Sequence, residues 1–175
     1  LNGKTFKLLK FATMLKNSPQ IGAGAITVTD DPRVLPVGRF LRKTKINELP
    51  QILNILRGDM SIVGPRPLMQ KQFGFHDDAA REIISSIRPG LTGVGSLAFR
   101  DEERFFDGIY NPAAIYRAKI SPAKQILELW YVKNVSVSLY FKLVTLTAVS
   151  VILPRYDASY FLPQKIRNQI NDILG

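Results

Sequence analysis

The run from Val135 to Leu153 constrains this chain most: 19 residues with one charge, Lys142. A helix that crosses a bilayer needs about 20 predominantly apolar residues. Ser136, Ser138, Thr145, Thr147 and Ser150 interrupt this run with hydroxyls, so it reads as a buried or interfacial helix rather than a crossing one. Pro154-Arg155 stops it. The rest of the chain must then provide the faces that cover it.

With 175 residues, the chain has about one domain's length and enough surface to bury a core without staples. At 46% apolar and 22% charged residues, it fits neither a disordered tail nor a fibre. The absence of cysteine excludes disulfides, thiolate metal sites and a cysteine nucleophile. A single histidine, His76, excludes multi-histidine metal sites, and no triad signature surrounds it.

The net charge of +10 is uneven: Leu1 to Arg66 carries 11 Lys/Arg against 4 Asp/Glu. A basic N-terminal third suits phosphate-rich partners such as nucleic acid, anionic lipid or a nucleotide substrate. No nucleic-acid reading helix or aromatic RNA platform accompanies it.

Periodicity leaves Thr5 to Met14 open between strand and short helix. Gly22-Ala23-Gly24 is a weak dinucleotide-loop signal, with Thr27 where a third glycine would stand, and Ala25 to Thr29 reads as a brief strand. Asn47 to Arg57 reads as a helix, with Asn47 as N-cap, Glu48 in the first turn and Pro50 tolerated early. Leu49, Ile52, Leu53 and Leu56 form its apolar stripe, and Gly58 ends it. Gln70 to Ile87 reads as a helix stopped by Arg88-Pro89-Gly90. Asp101-Glu102-Glu103 opens another, Pro122 begins one through Tyr131, and a short amphipathic helix starts at Gln164.

The chemistry concentrates between Arg39 and Arg66. Glu48 follows Arg39, Arg42, Lys43 and Lys45. Asp59 lies about 16 Å further along a helix axis at 1.5 Å per residue, so the two carboxylates meet only if the backbone folds back after Gly58. Two carboxylates among cations can hold Mg²⁺ on a diphosphate or supply a nucleophile or base. Arg66, between Pro65 and Pro67, is a rigid fork suited to phosphate. The same residues also read as a first-turn acid, a cap and a turn arginine.

The thirty-residue run GRFLRKTKINELPQILNILRGDMSIVGPRP, Gly38 to Pro67, resembles the signature of the bacterial sugar transferases, the monotopic polyprenyl-phosphate glycosyl-1-phosphate transferases. Its flanks agree. Lys10-Phe11-Ala12-Thr13-Met14 resembles the family's Lys-Phe-Arg-Thr-Met, and Asp31-Pro32-Arg33 its Asp-Pro-Arg. Arg88-Pro89-Gly90-Leu91-Thr92-Gly93 resembles its Arg-Pro-Gly-Leu/Ile-Thr-Gly, and Tyr131-Val132-Lys133-Asn134 with Ser136 its Tyr-Ile-x-Asn-x-Ser. The resemblance runs from Leu1 to about Thr147.

It implies an α+β, predominantly helical catalytic domain spanning residues 1–175. It implies transfer of a sugar-1-phosphate from a nucleotide-diphosphate sugar, usually a UDP-sugar, to polyprenyl phosphate, with Mg²⁺. The location implied is the cytoplasmic face of the bacterial inner membrane, with a re-entrant anchor upstream of Leu1. In keeping with this, Leu1-Asn2-Gly3-Lys4-Thr5 reads as a mid-domain turn. Carried onto this chain, the motif assigns catalysis to Glu48, Asn47 and Asp59, metal binding to Glu48 and Asp59, and substrate binding to Arg39, Arg42, Lys43, Arg66, Lys10, Arg33 and Arg88. Two departures stand out. Asn47 replaces the aspartate that the family is proposed to use as nucleophile, and an amide is a far poorer nucleophile than a carboxylate. Ala12 replaces an arginine. These departures keep open a non-catalytic member that binds nucleotide sugar or regulates an active relative.

Overall fold

A computed structural model describes residues 3–21, 26–153, 156 and 158–175. Gly22-Ala23-Gly24, Ala25 and Pro154-Arg155 lie outside the described residues. The fold is α+β and predominantly helical, with helices around a two-stranded parallel sheet. The helices are α1 Pro36–Lys43, α2 Gln51–Leu56, α3 Gln70–Phe73, α4 Asp78–Ser85, α5 Val94–Ala98, α6 Pro112–Ile115, α7 Ser121–Lys133, α8 Val137–Ile152 and α9 Gln164–Leu174. Strands β1 Ser61–Val63 and β2 Gly90–Thr92 pair with Ser61 opposite Gly90 and Val63 opposite Thr92. No helix among the described residues is long and apolar enough to cross a membrane.

The core gathers on α7. Ala123, Leu127 and Tyr131 pack with Ile120, Val94, Leu97, Phe99, Leu143, Leu162 and Ile170, all buried. The helix runs on from α6 through a π turn, Tyr116–Ile120. Pro122 explains the widening: it has no N–H to donate, and its ring would crowd the carbonyl four residues back in a regular α-turn. α8 is the apolar run read from the sequence. It buries Leu143 and Ser150 and leaves Val137, Phe141 and Ile152 exposed.

Several sequence expectations are corrected. Residues 6–13 form neither strand nor helix but an extended segment, with Met14 bridged to Val34. The expected brief strand at 25–29 is absent from 26–29. The helix expected over Asn47–Arg57 begins only at Gln51, after a 3-10 turn, Ile46–Glu48. Pro50 is the physical reason, because it cannot donate to the Ile46 carbonyl and extend an α-helix backward. Asn47 therefore caps nothing. Gly58 does close the helix, at φ +79°. The helix expected over Gln70–Ile87 is two helices, the second capped by Asp77, whose carboxylate accepts the Ala80 N–H at 2.7 Å. The expected helix at Asp101 is a 3-10 turn, Glu102–Phe106.

The most consequential correction concerns α2. Its apolar stripe was expected to face the core, yet Leu49, Ile52, Leu53 and Leu56 are all exposed, Leu56 at 77%. The inward face is polar, with Gln51 at 2% and Asn54 at 1%. Asn54 clamps the extended N-terminal segment: its Oδ1 accepts the Leu9 N–H at 3.0 Å and its Nδ2 donates to the Lys7 carbonyl at 2.9 Å.

The two strands meet across glycines. A Cβ on Gly90 would lie 2.1 Å from the Gly64 nitrogen, and one on Gly93 would lie 2.1 Å from the Gly64 oxygen. The neighbouring atoms are backbone and cannot swing aside. Gly64 N–H donates to Thr92 O at 2.9 Å and Gly90 N–H to Pro65 O at 2.8 Å, which pins the Gly64–Pro67 turn onto β2. Gly93→Ala is expected to lower stability by about 3 kcal/mol or more. Gly74→Ala, whose Cβ would make only ordinary contacts at 3.4 Å or longer, is expected to stay near parental stability. Urea midpoints of the two variants check this contrast.

Candidate active site

Three segments converge on Glu48. The first is the tight turn between α1 and α2. Lys45 enters it at φ +60°, a left-handed conformation that non-glycine residues seldom adopt, and the chain then winds through Ile46–Glu48. The second is the extended N-terminal segment, held by the Phe11 N–H donating to the Asn47 carbonyl at 3.0 Å. It delivers Lys10, whose Nζ lies 3.2 Å from Glu48 Oε1. The third is the Gly64–Pro67 turn, which brings Arg66 Nη2 to 3.8 Å from the same oxygen. Arg66 Nη1 also donates to Ser96 Oγ on α5 at 3.4 Å.

Burial alone would push the Glu48 carboxyl up. Lys10, Arg66 and Lys45, together with the Lys10 hydrogen bond, outweigh it and hold Glu48 below the ordinary carboxylate value. Glu48 is therefore ionised at neutral pH and is not a general acid. Lys10 and Lys45 are drawn below the usual lysine value, by burial first and by the surrounding cations, against the pull of Glu48.

These groups form the polar end of a cleft of about 290 Å³. Lys45, Glu48, Arg66 and Arg100 line it beside Leu49, Ile62, Leu91, Leu97, Val144 and Val151. Arg100 Nη1 and Ser150 Oγ are buried without hydrogen-bond partners. An amphiphile with a phosphate head and an apolar tail matches a cleft with cations at one end and aliphatic walls beyond.

The remaining residues read from the sequence divide. Arg42 turns to Glu103, 2.8 Å away. Arg39 and Lys43 are exposed on α1, and Arg88 is exposed ahead of β2; none of the three lines the cleft. Asn47 is buried at 8%, its Oδ1 has no partner, and its carbonyl holds the Lys10 segment. Asp59 does not join Glu48. The chain turns at Gly58 into β1, and Asp59 stays at the far end of α2, where its N–H donates to Asn54 O at 3.0 Å. Arg33 is corrected to a structural role: it is 3% exposed, its Nε lies 2.8 Å from Asp31 Oδ1, and its other nitrogens donate to the Ser18, Ile21 and Ile26 carbonyls. Asp31 falls below the usual carboxylate value because Arg33 hydrogen-bonds it.

Arg100 and Ser150 carry no motif in the sequence, and only the fold brings them to Glu48. Lys45 was visible as one cation among several, but nothing in the sequence marked its left-handed backbone.

Comparison with known proteins agrees with this geometry. The profile of the family described as bacterial sugar transferase matches residues 1–154. The exopolysaccharide production protein ExoY of Sinorhizobium fredii is 43% identical over 115 residues, 58% of this chain and 50% of that protein. The uncharacterized sugar transferase EpsL of Bacillus subtilis is 34% identical over 87% of this chain and 66% of its own length. The undecaprenyl-phosphate galactose phosphotransferase of Salmonella typhimurium is 29% identical over 91% of this chain and 32% of that protein. The chain thus spans half or less of the ExoY and Salmonella proteins. With its profile match covering most of its length, the chain belongs to the bacterial sugar transferase family.

Proposed function

We propose that this protein transfers a sugar-1-phosphate from a nucleotide-diphosphate sugar, a UDP-sugar by family resemblance, to polyprenyl phosphate. The acceptor phosphate oxygen attacks the sugar-bearing phosphorus, the bond to the bridging diphosphate oxygen breaks, and nucleoside monophosphate leaves. The products are polyprenyl-diphosphate-sugar and the monophosphate, which start a surface glycan. The observation that carries this reading is one ionised carboxylate among Lys10, Lys45, Arg66 and Arg100 at the head of an apolar cleft.

The residues divide the work. Arg66, Lys10, Lys45 and Arg100 neutralise phosphate oxygens and hold acceptor and donor in line, the main need of a reaction with little covalent chemistry for the protein to perform. Glu48 orients the cations. Its depressed pKa makes it a weak nucleophile and favours direct attack by the acceptor over a covalent intermediate at this position.

For Mg²⁺ the donor set decides the fit. Glu48 is the one carboxylate lining the cleft, and no group of three or more His, Cys, Asp or Glu among the described residues can hold a metal. Four cations repel a bare dication. A Mg²⁺ that arrives on the diphosphate, drawing most of its oxygens from it, fits Glu48 as a single protein ligand. Asp59 does not fit that role. The ion supplies further neutralisation of charge on the transferred group.

The exposed stripe of α2, together with Val37 and Phe40 on α1, is the surface we assign to the membrane. Apolar side chains beside a basic turn suit an anionic bilayer, here the cytoplasmic face of the bacterial inner membrane, where polyprenyl phosphate resides.

A second reading has its own support. Asn47 stands where the family pattern has an aspartate, and this favours a non-catalytic member that binds nucleotide sugar.

Three measurements test the reading. With UDP-galactose and undecaprenyl phosphate, Glu48→Gln is expected to cut UMP release about 100-fold or more; full release by this variant refutes the role of Glu48, and no release by the parent favours the second reading. Asn47→Asp is expected to leave release by the direct route in place without a trappable phosphosugar adduct; an adduct with raised turnover shows that the covalent route was lost with the aspartate. The double substitution Leu53→Asp, Leu56→Asp is expected to weaken sedimentation with phosphatidylglycerol vesicles about tenfold at unchanged thermal midpoint. Undiminished binding removes α2 from the membrane contact.

A further inference from the structure

Beneath the Arg66 turn lies a carboxyl that the transfer chemistry leaves unused. Glu128, on α7, is 5% exposed. Its Oε1 accepts the Arg66 backbone N–H at 3.3 Å, and its Oε2 has no hydrogen-bond partner. The space exists because residue 95 is glycine: a Cβ there would stand 2.4 Å from Glu128 Oε1. Pro65 and Pro67 carry no N–H, so Arg66 is the single backbone donor of this Pro-Arg-Pro segment. The donor side of the turn is thus tied to Glu128, and the acceptor side to Gly90 through the Pro65 carbonyl.

The charged and titratable neighbours are few. Lys124, one turn earlier on α7, is ion-paired with Glu102 and lies over the Phe99 and Tyr116 rings. Tyr131, one turn later, donates its hydroxyl to Val63 O at 3.5 Å. Arg66 approaches from the turn, while α5 offers Gly95 and Ser96 and no charge.

We propose that Glu128 is a positioning residue for the phosphate-binding arginine: by accepting the Arg66 N–H it fixes the turn from which the guanidinium reaches Glu48 and Ser96, and it holds that turn more firmly as a carboxylate than as an acid. An ionised acceptor makes the stronger, shorter hydrogen bond. Proton uptake at Glu128 then loosens the anion site. Burial pushes this carboxyl up to about 7, against the opposing pull of the Arg66 N–H and of the Lys124 and Arg66 charges, so the change falls in the neutral range. The inference rests on the transferase reading above and names the group that tunes its phosphate grip.

The test uses the full-length protein in lipid nanodiscs between pH 5.5 and 8.5. UMP release from UDP-galactose to undecaprenyl phosphate is measured for the parent and Glu128→Gln. The parental kcat/KM for UDP-galactose is expected to exceed that of the variant about fivefold at pH 8 and to converge with it at pH 5.5, through KM rather than kcat. The acceptor's own second phosphate ionisation, near pH 6, shapes both curves alike and cancels in their ratio. Superimposable profiles overturn the proposal.

Two readouts do not need turnover. UDP binding by calorimetry is expected to be weaker in Glu128→Gln at pH 8 and equal at pH 5.5; equal binding at both overturns the positioning role. If the parent binds UDP but releases no UMP, the transferase reading fails while this comparison still decides the role of Glu128. If the parent ignores UDP altogether, both fail.

The thermal midpoint is the second. A glutamate whose folded pKa lies above its unfolded value keeps more protons in the native state between the two. Its contribution is therefore lost as pH rises from about 4.5 through about 7. Glu128→Gln is expected to melt above the parent at pH 8.5 and with it at pH 4.5. Equal midpoints at pH 8.5 overturn the proposal.

Discussion

The candidate site depends on one contact, made of backbone rather than side chains. Gly64 lies against Gly90 and Gly93 so closely that no Cβ fits at the latter two positions, and two backbone hydrogen bonds lock the turn that follows. The glycines and prolines of the Gly-Pro-Arg-Pro and Arg-Pro-Gly-Leu-Thr-Gly motifs are thus the two halves of one joint. They act by excluding side chains from the place where β1 and β2 pass, and Arg66 projects from the fixed edge. A rigid mount for a cation suits chemistry in which geometry and charge do most of the work.

α2 shows the same economy in reverse. Its six residues turn amide side chains inward and leucines and isoleucines outward. Asn54 bonds two backbone groups of the segment that carries Lys10, a task that no aliphatic side chain can perform. The outward leucines follow from the same helical spacing. In water this arrangement wastes apolar surface, whereas beside a bilayer it places the Glu48 turn next to the lipid phase from which a polyprenyl acceptor would come.

The motifs were legible in the sequence because they are local: a thirty-residue run in fixed order, punctuated by glycine and proline. The α+β, mostly helical class followed from them and from the apolar run that became α8. The convergence of Glu48, Lys10 and Arg66 came with the resemblance, since 18 residues separate Glu48 from Arg66 and 38 separate it from Lys10. What failed had a common cause. The stripe of α2 was read by the rule that apolar faces turn inward, and that rule assumes water outside. Asp59 was paired with Glu48 by charge, while the turn at Gly58 sends the backbone elsewhere. Arg33 was grouped with phosphate binders by type, yet its partner, Asp31, stood two residues away. Glu128 and Arg100 were invisible because nothing adjacent in sequence marks a carboxyl or a guanidinium that tertiary packing buries.

The placement of the cations divides them by their sensitivity to dissolved ions. Arg39 and Lys43 face solvent, where a Debye length of about 8 Å at physiological ionic strength confines their reach. Lys45, Arg66 and Arg100 line the cleft, and the field between cleft walls is damped far less. Added salt should therefore slow the arrival of an anionic substrate long before it loosens one already seated. The outer residues govern how often the site is found, and the inner ones govern what happens once it is filled.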